Sequence, residues 1–243
     1  MAGSTLFDGM YKELWRRIVP EGLTRAELEF LNEILDLEQG QSVLDVMCGY
    51  GRHSLGLAGL GYAVTAVDNA ADYIREIAEQ AKGLPVTALE VPVEEFVPAQ
   101  RFQAAICMGN SISSLDRAAT LTLFQKIHEA LEPGARFVLN TWMITEIVVK
   151  KFKATEWYQI QEFKYLLANK YLLHPTRMET VHTVIAPDGS MEERQDTDYI
   201  FSFAEMESLL EQAGFRLLKI FSTPRKRPYQ LGDEHAYFIA ERG

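Results

Sequence analysis

Residues 42–69 read SVLDVMCGYGRHSLGLAGLGYAVTAVDN, and the rest of the chain is organised around them. The apolar run over 42–47 is a buried strand, CGYG at 48–51 is a glycine turn, a helix starts at about Arg52, and a second strand ends on Asp68. Gly49 and Gly51 admit positive φ and let the backbone pass close to a ligand where a Cβ would collide. The helix that follows points its free N–H groups at whatever lies over the turn. Asp68 stands where a carboxylate accepts two hydrogen bonds from a ribose diol. Strand, glycine turn, helix, strand and terminal acid in that order make one half of a nucleotide-cofactor site.

Two cofactor classes use this arrangement. A dinucleotide site places a third glycine three residues past the second, under the pyrophosphate, and here that position is Ser54. Instead Asp45 lies inside the first strand, giving D-x-x-C-G-x-G. The string LDVMCGYGRHS over 44–54 resembles motif I of the class I S-adenosylmethionine-dependent methyltransferases, in the form found among small-molecule members. The resemblance implies S-adenosyl-L-methionine as cofactor and S-adenosyl-L-homocysteine as product. It implies that Asp45 helps hold the methionine end, directly or through water, and that Met47, Cys48, Gly49, Gly51, Asp68 and Asn69 belong to the cofactor site. Met47 departs from the glycine or small residue that many members carry there, which makes for a bulkier pocket floor.

Further contacts follow from the same resemblance. A tyrosine near the start of an amino-terminal helix, here Tyr11, lines the cofactor. After a third strand over 86–91, the family usually carries an acid for the adenine amine. Pro92 falls at that place, so adenine is held either by backbone groups about Val93 or by Glu94. ICMGNS at 106–111 resembles the segment that runs past the reactive sulfonium, which brings in Met108, Asn110 and Ser113. The N-P-P-Y tetrapeptide of enzymes that methylate planar nitrogens in nucleic acid or protein glutamine is absent.

The expected fold is α/β: a Rossmann-like, doubly wound seven-stranded sheet with an antiparallel last strand, and a small antiparallel β insertion after strand five. Residues 1–145 and 201–243 form the cofactor-binding core and 146–200 a lid over the acceptor. A helix is expected over 6–19, with Tyr11, Leu14, Trp15 and Ile18 on one face, and a second from a capping box of Thr24 and Glu27. Within the lid, strands are expected over 157–163, 165–173, 178–185 and 199–203. Ser202 and Glu205 form another capping box before a helix. The loop TPRKRPYQLGDEH carries Arg225, Lys226 and Arg227, placed to attract a carboxylate or phosphate on the substrate.

With 243 residues, 47% hydrophobic and 24% charged, the chain has the make-up of an ordinary globular protein. Its net charge of −10 repels polyanions, so nucleic acid is not an expected partner. Neither an apolar signal segment nor a run of about 20 apolar residues is present, and a cytoplasmic setting away from membranes is expected. Cys48 and Cys107 are isolated and the histidines scattered, so no metal site is expected. The activity expected is transfer of the sulfonium methyl to a nitrogen or oxygen of a small-molecule acceptor, by a monomer or by a homodimer formed through the lid. An oxygen acceptor would need a base: His53 and His235 are the candidates, with Asn110 orienting, although the first reading of His53 is as a structural hydrogen-bonding residue. The rival readings are an NAD-dependent oxidoreductase and a non-catalytic cofactor-binding module.

Overall fold

The computed structural model describes residues 9–243. The expected start of the first helix, over 6–8, lies outside the described residues. The helix then runs as α1 (Gly9–Ile18), followed by α2 (Leu23–Leu35), β1 (Ser42–Val46), α3 (Arg52–Gly59), β2 (Ala63–Asp68), α4 (Ala71–Gln80) and β3 (Val86–Glu90). Next come β4 (Phe102–Cys107), a 3₁₀ turn (Ser111–Ser114), α5 (Arg117–Ala130) and β5 (Leu131–Thr141). These strands join β10 (Phe215–Phe221) and β11 (Ala236–Arg242) in a seven-stranded sheet of order β10-β11-β5-β4-β1-β2-β3, in which β11 is antiparallel to both its neighbours.

Central strands of such a sheet are covered on both faces, and β1 is accordingly buried at every position. One face packs α5 and α7 (Phe203–Gln212) through Phe124, Ile127, Leu209 and Leu210; the other packs α2 and α3 through Phe30, Leu31 and Leu57. The chain goes outward from β1 to β2 and β3, then returns to place β4 on the other side of β1. That reversal opens a crevice beyond the carboxyl ends of β1 and β4. The glycine turn after β1 and the Met108–Ser113 segment after β4 therefore share one rim.

After β5 comes α6 (Thr145–Lys151), then a separate antiparallel sheet of β6 (Thr155–Ile160), β7 (Phe163–Leu173), β8 (Thr176–Ile185) and β9 (Met191–Tyr199). The insertion after strand five is present, but two expectations within it are corrected. The chain turns at Gln161, whose φ is 51°, so β6 ends at Ile160 and Phe163 opens the next strand. The last strand is Met191–Tyr199 and not 199–203. MEERQDTDY is too polar to read as a strand, yet β9 pairs with β8 along its whole length. Period-two alternation sends Glu192, Arg194, Asp196 and Asp198 to one face of the lid sheet.

The two capping boxes part company. Ser202 accepts from the Glu205 N–H while the Glu205 carboxylate accepts from the Ser202 N–H, as expected. Ser202→Ala should lower stability by about 1 kcal/mol in urea denaturation. Thr24, in contrast, lies inside α2: Gly22, at φ 80°, is the N-cap, and Glu27 is buried. The basic loop is also corrected, because Lys226 pairs with Glu33 and Arg227 with Asp233, and none of Arg225, Lys226 and Arg227 lines the crevice. Among the described residues, no helix is long and apolar enough to cross a membrane.

Candidate functional site

The glycine turn is organised by Asp68. Its Oδ2 accepts from the Gly49 N–H at 2.8 Å and its Oδ1 from the Ala70 N–H at 2.9 Å. Burial raises its carboxyl while these backbone bonds oppose the shift. A Cβ on Gly49, at φ 56°, would meet nothing within 4 Å, so the backbone faces open space. Gly51 answers to a different constraint: a Cβ there would come within 2.5 Å of Ile77 Cγ1, so its need is helix packing. Met47 holds φ 56°, the left-handed region that glycine takes more readily, which accounts for the family's small residue at this place. Ser54, at the third-glycine position, donates to Asp45 Oδ2 at 2.5 Å. Asp45 is 1% exposed, and burial, opposed by the Ser54 bond, pushes its carboxyl to about 7.

A cavity of about 850 Å³ lies between this turn and the lid. Of the expected residues, Tyr11, Met47, Cys48, Gly49, Asp68 and Asn69 line it, with Met108, Asn110 and Ser113 across from them. His53 and His235 line it too. Asp45 and Gly51 stand behind the turn. Val93 is packed in the core against Phe96, and Glu94 is exposed, its carbonyl accepting from Lys126. Neither lines the cavity. Burial raises the Cys48 thiol well above its ordinary value, so it is an inert wall.

Helix α1 straps the lid to the core over this space. The Glu192 carboxylate accepts from the Met10 N–H at 3.1 Å and the Tyr11 N–H at 3.2 Å, capping the helix from the lid strand β9. On the other side Lys12 and Arg16 both pair with Glu76 of α4. Leu14 and Tyr11 pack with Phe163, Tyr165 and Val184 of the lid. Tyr11 and Trp15 are thereby held against the cavity.

Asn110 joins β4, β5 and β9. At φ 70° it aims its side chain inward, where Oδ1 accepts from Thr141 Oγ1 at 2.6 Å and the Trp142 N–H at 3.2 Å. Its Nδ2 donates to Ser113 Oγ at 2.8 Å and to Asp198 Oδ1 at 3.4 Å. Ser113 also donates to Asp198, so the lid carboxylate is docked on the core rim.

Behind His53 lies a carboxylate that the expected capping box concealed. Glu27, 1% exposed, accepts from Arg52, from Tyr237 Oη at 2.9 Å, and from His53 Nε2 at 3.0 Å. Burial would raise its carboxyl, but these donors and the Arg52 charge hold it down at about 2. Burial lowers His53 against the pull of Glu27, so the imidazole is neutral, with Nε2–H donating to Glu27. His53 is thus a ring fixed in one tautomer at the cavity wall. His235 sits at the mouth, edge-on to Trp142 with ring centroids 5.5 Å apart.

A family model described as a methyltransferase domain matches residues 43–134, the half-site together with β3, β4 and α5. The CcbJ methyltransferase of Streptomyces caelestis superposes with a TM-score of 0.86 at 17% identity, covering 99% of this chain and 98% of that one. An S-adenosylmethionine-dependent methyltransferase from Clostridium acetobutylicum gives 0.80 at 16% identity over 96% of both chains. The fold is that of a class I S-adenosylmethionine-dependent methyltransferase. S-adenosylmethionine-bound CalS10 of Micromonospora echinaspora, an amino pentose methyltransferase, has this fold with a TM-score of 0.72, 17% identity and 99% of each chain covered. No curated protein matches the sequence.

In this methyltransferase fold, sequence reasoning missed Tyr50 and Tyr73 on the core side of the cavity and a polar group on the lid. Tyr165, Asn169, Thr180, His182, Asp196 and Asp198 face the cavity. Alternation along β7, β8 and β9 is the signal that would have found them, once β9 is recognised as a strand. Burial, and then the charge of Asp196, push the Asp198 carboxyl up to about 7 against the Ser113 bond. An acid raised in the folded state contributes stability below its ordinary pKa and loses it as pH rises through the folded value. The thermal midpoint of the free protein should therefore fall between about pH 4 and pH 8, and Asp198→Asn should flatten part of that fall in differential scanning fluorimetry. Asp45 supplies a second part of the slope, which that variant keeps.

Proposed function

We propose that the protein transfers the sulfonium methyl of S-adenosyl-L-methionine to a small molecule seated between core and lid. The observation that carries this reading is the single cavity onto which both the glycine half-site and the lid open. Its volume, about 850 Å³, is in the range of small-molecule sites and leaves room for an acceptor beside the cofactor. Asp68 and Asn69 would hold the ribose, the Met47–Gly49 backbone would pass beneath the methionine portion, and Met108, Asn110 and Ser113 would flank the sulfur. Asp45 acts from behind, bracing the turn through Ser54. A nicotinamide dinucleotide fits less well, because the Ser54 side chain and its bond to Asp45 occupy the place where such sites have glycine.

The cofactor brings an activated methyl, so this chain's task is to orient the acceptor and exclude water. Tyr11 and Trp15 cover the site from α1, and the lid closes it through Asp198. For an oxygen acceptor, neutral His53 backed by Glu27 would take the proton. A carboxylate or phosphate on the acceptor would meet Lys150, Lys151 and Lys153 at the mouth, not the Arg225–Arg227 loop. Residues 1–145 with 201–243 serve the cofactor, and 146–200 serve the acceptor. We place the protein in the cytoplasm, where unpaired thiols such as Cys48 and Cys107 stay reduced. If it dimerises through the lid, exposed Trp157 and Leu166, paired across β6 and β7, are where contact would form.

Titration calorimetry with S-adenosylhomocysteine and, separately, NAD⁺ tests the reading. Binding of the first in the micromolar range or tighter, with none of the second, is expected. The reverse pattern would remove it.

A further inference from the structure

We infer that the acceptor is a small-molecule amine that arrives as its ammonium ion, received by Asp196 and Asp198 of β9 with His182 of β8 bonding a neighbouring polar group. The inference rests on the methyl-transfer reading and names the substrate class that the lid selects.

Three observations lead there. Asp196 and Asp198 line the cavity from adjacent same-face positions, and among the described residues neither has an ion-pair partner. Their polar contacts are to Ser113, Asn110 and the Thr197 N–H, none of which carries charge. Two neighbouring carboxylates without a counter-ion repel each other and resist desolvation, and a cation between them removes both costs. The lysines that line the cavity lie elsewhere: Lys150, Lys151 and Lys153 are exposed at the mouth, with Lys151 paired to Glu234 and Lys153 to Glu156.

The second observation is independent of the acids. His182, 8% exposed, also lines the cavity, and its Nε2 is buried with no hydrogen-bond partner. Its Nδ1 lies 2.6 Å from Tyr165 Oη, so the ring is held in place with one nitrogen left over. A buried polar atom without a partner is costly, and the ring that carries this one lines the cavity, so a polar group of a ligand seated beside the ring would relieve that cost. Thr180 pairs with Asp196 across β8 and β9, so His182 is the diagonal neighbour of Asp196, their backbones about 7–8 Å apart. An amine with a second polar group beside it is the ligand that could meet both side chains.

The third is chemical. An anionic reacting group would be repelled by the two acids, and a neutral alcohol would leave them uncompensated. An ammonium suits the site and also supplies its own nucleophile. It gives one proton to the Asp198 carboxylate, and the freed nitrogen lone pair forms the new N–C bond. The S–C bond breaks with its electron pair retained by sulfur, which becomes a neutral thioether. The methylated nitrogen is left as an ammonium, which departs as a cation, and Asp198 returns its proton to solvent. Burial and Asp196 set Asp198 near the pH at which it exchanges that proton.

The experiment is a binding screen of the intact protein, with and without saturating S-adenosylhomocysteine. The probes are small alkylamines and amino sugars, each paired with its N-acetyl counterpart, and the readout is saturation-transfer NMR followed by calorimetry. Amines should bind, and their N-acetyl partners should bind at least about tenfold more weakly. Asp196→Asn should weaken amine binding about tenfold or more while S-adenosylhomocysteine affinity stays within about threefold, and Asp198→Asn should weaken amine binding about tenfold or more. His182→Phe should cost affinity only for amines that carry a neighbouring hydroxyl. The inference is overturned if the probes that bind are the N-acetyl forms, if no amine binds at about 10 mM, or if amine affinity is the same in both Asp variants. Loss of S-adenosylhomocysteine binding by the unmodified protein would instead strike the methyl-transfer reading, and the two failures are read in separate titrations.

Discussion

Replacing Asp68 by alanine should weaken S-adenosylhomocysteine binding at least tenfold, about 1.4 kcal/mol or more in calorimetry. Two effects act in the same direction. The carboxylate is lost as acceptor for a ribose diol, and hydrogen bonds to a charged group contribute more than neutral ones, about 1.5–3 kcal/mol each. The turn also loses its organiser, since the Gly49 and Ala70 N–H groups both point at Asp68. Asp68→Asn separates the two, because one amide oxygen retains one backbone bond but not both. Its affinity should fall between the wild type and Asp68→Ala. Unchanged affinity in Asp68→Ala would mean that the ribose is held elsewhere.

Glu27→Ala should be the most destabilising single change in the site, by about 3–5 kcal/mol in urea denaturation, because it leaves the Arg52 charge without its partner. Arg52 side-chain exposure is only 14% and that of Glu27 1%, so solvent offers little relief. The acid limb of stability should report the same group. A carboxyl held at about 2 against an ordinary 4.5 contributes stability above the ordinary value, which is lost as pH falls through the folded one. Glu27→Gln should therefore show less loss of stability between about pH 5 and pH 2 than the wild type. If Glu27→Ala unfolds at the same urea concentration as the wild type, the buried hub is not a structural element.

The residues that were legible in the chain are those whose constraint is local. A glycine turn between two short apolar runs with an acid at the end of the second is compelled by backbone geometry, and Gly49, Asp68 and Met108 all reached the cavity. Ser202 with Glu205 capped its helix because nothing nearby competes for either side chain. Where a tertiary partner outbids the local one, the reading failed. Glu27 has the spacing of a capping box with Thr24, but Arg52, His53 and Tyr237 claim it, and Gly22 starts the helix instead. Arg225–Arg227 looked like a substrate clamp because sequence does not show that Glu33 and Asp233 come within reach. The largest gap was β9: its acids and arginine mark a solvated segment by composition, whereas in the fold one face of the strand carries the carboxylates that meet the core.

The most direct test is the crystal structure of the S-adenosylhomocysteine complex. The ribose diol is expected on Asp68, the homocysteine over Met47–Gly49, and the sulfur beside Met108 and Asn110, opening on the part of the cavity lined by Asp196 and Asp198. A ligand that lies outside this cavity, or whose sulfur is walled off from the lid acids, would contradict this placement.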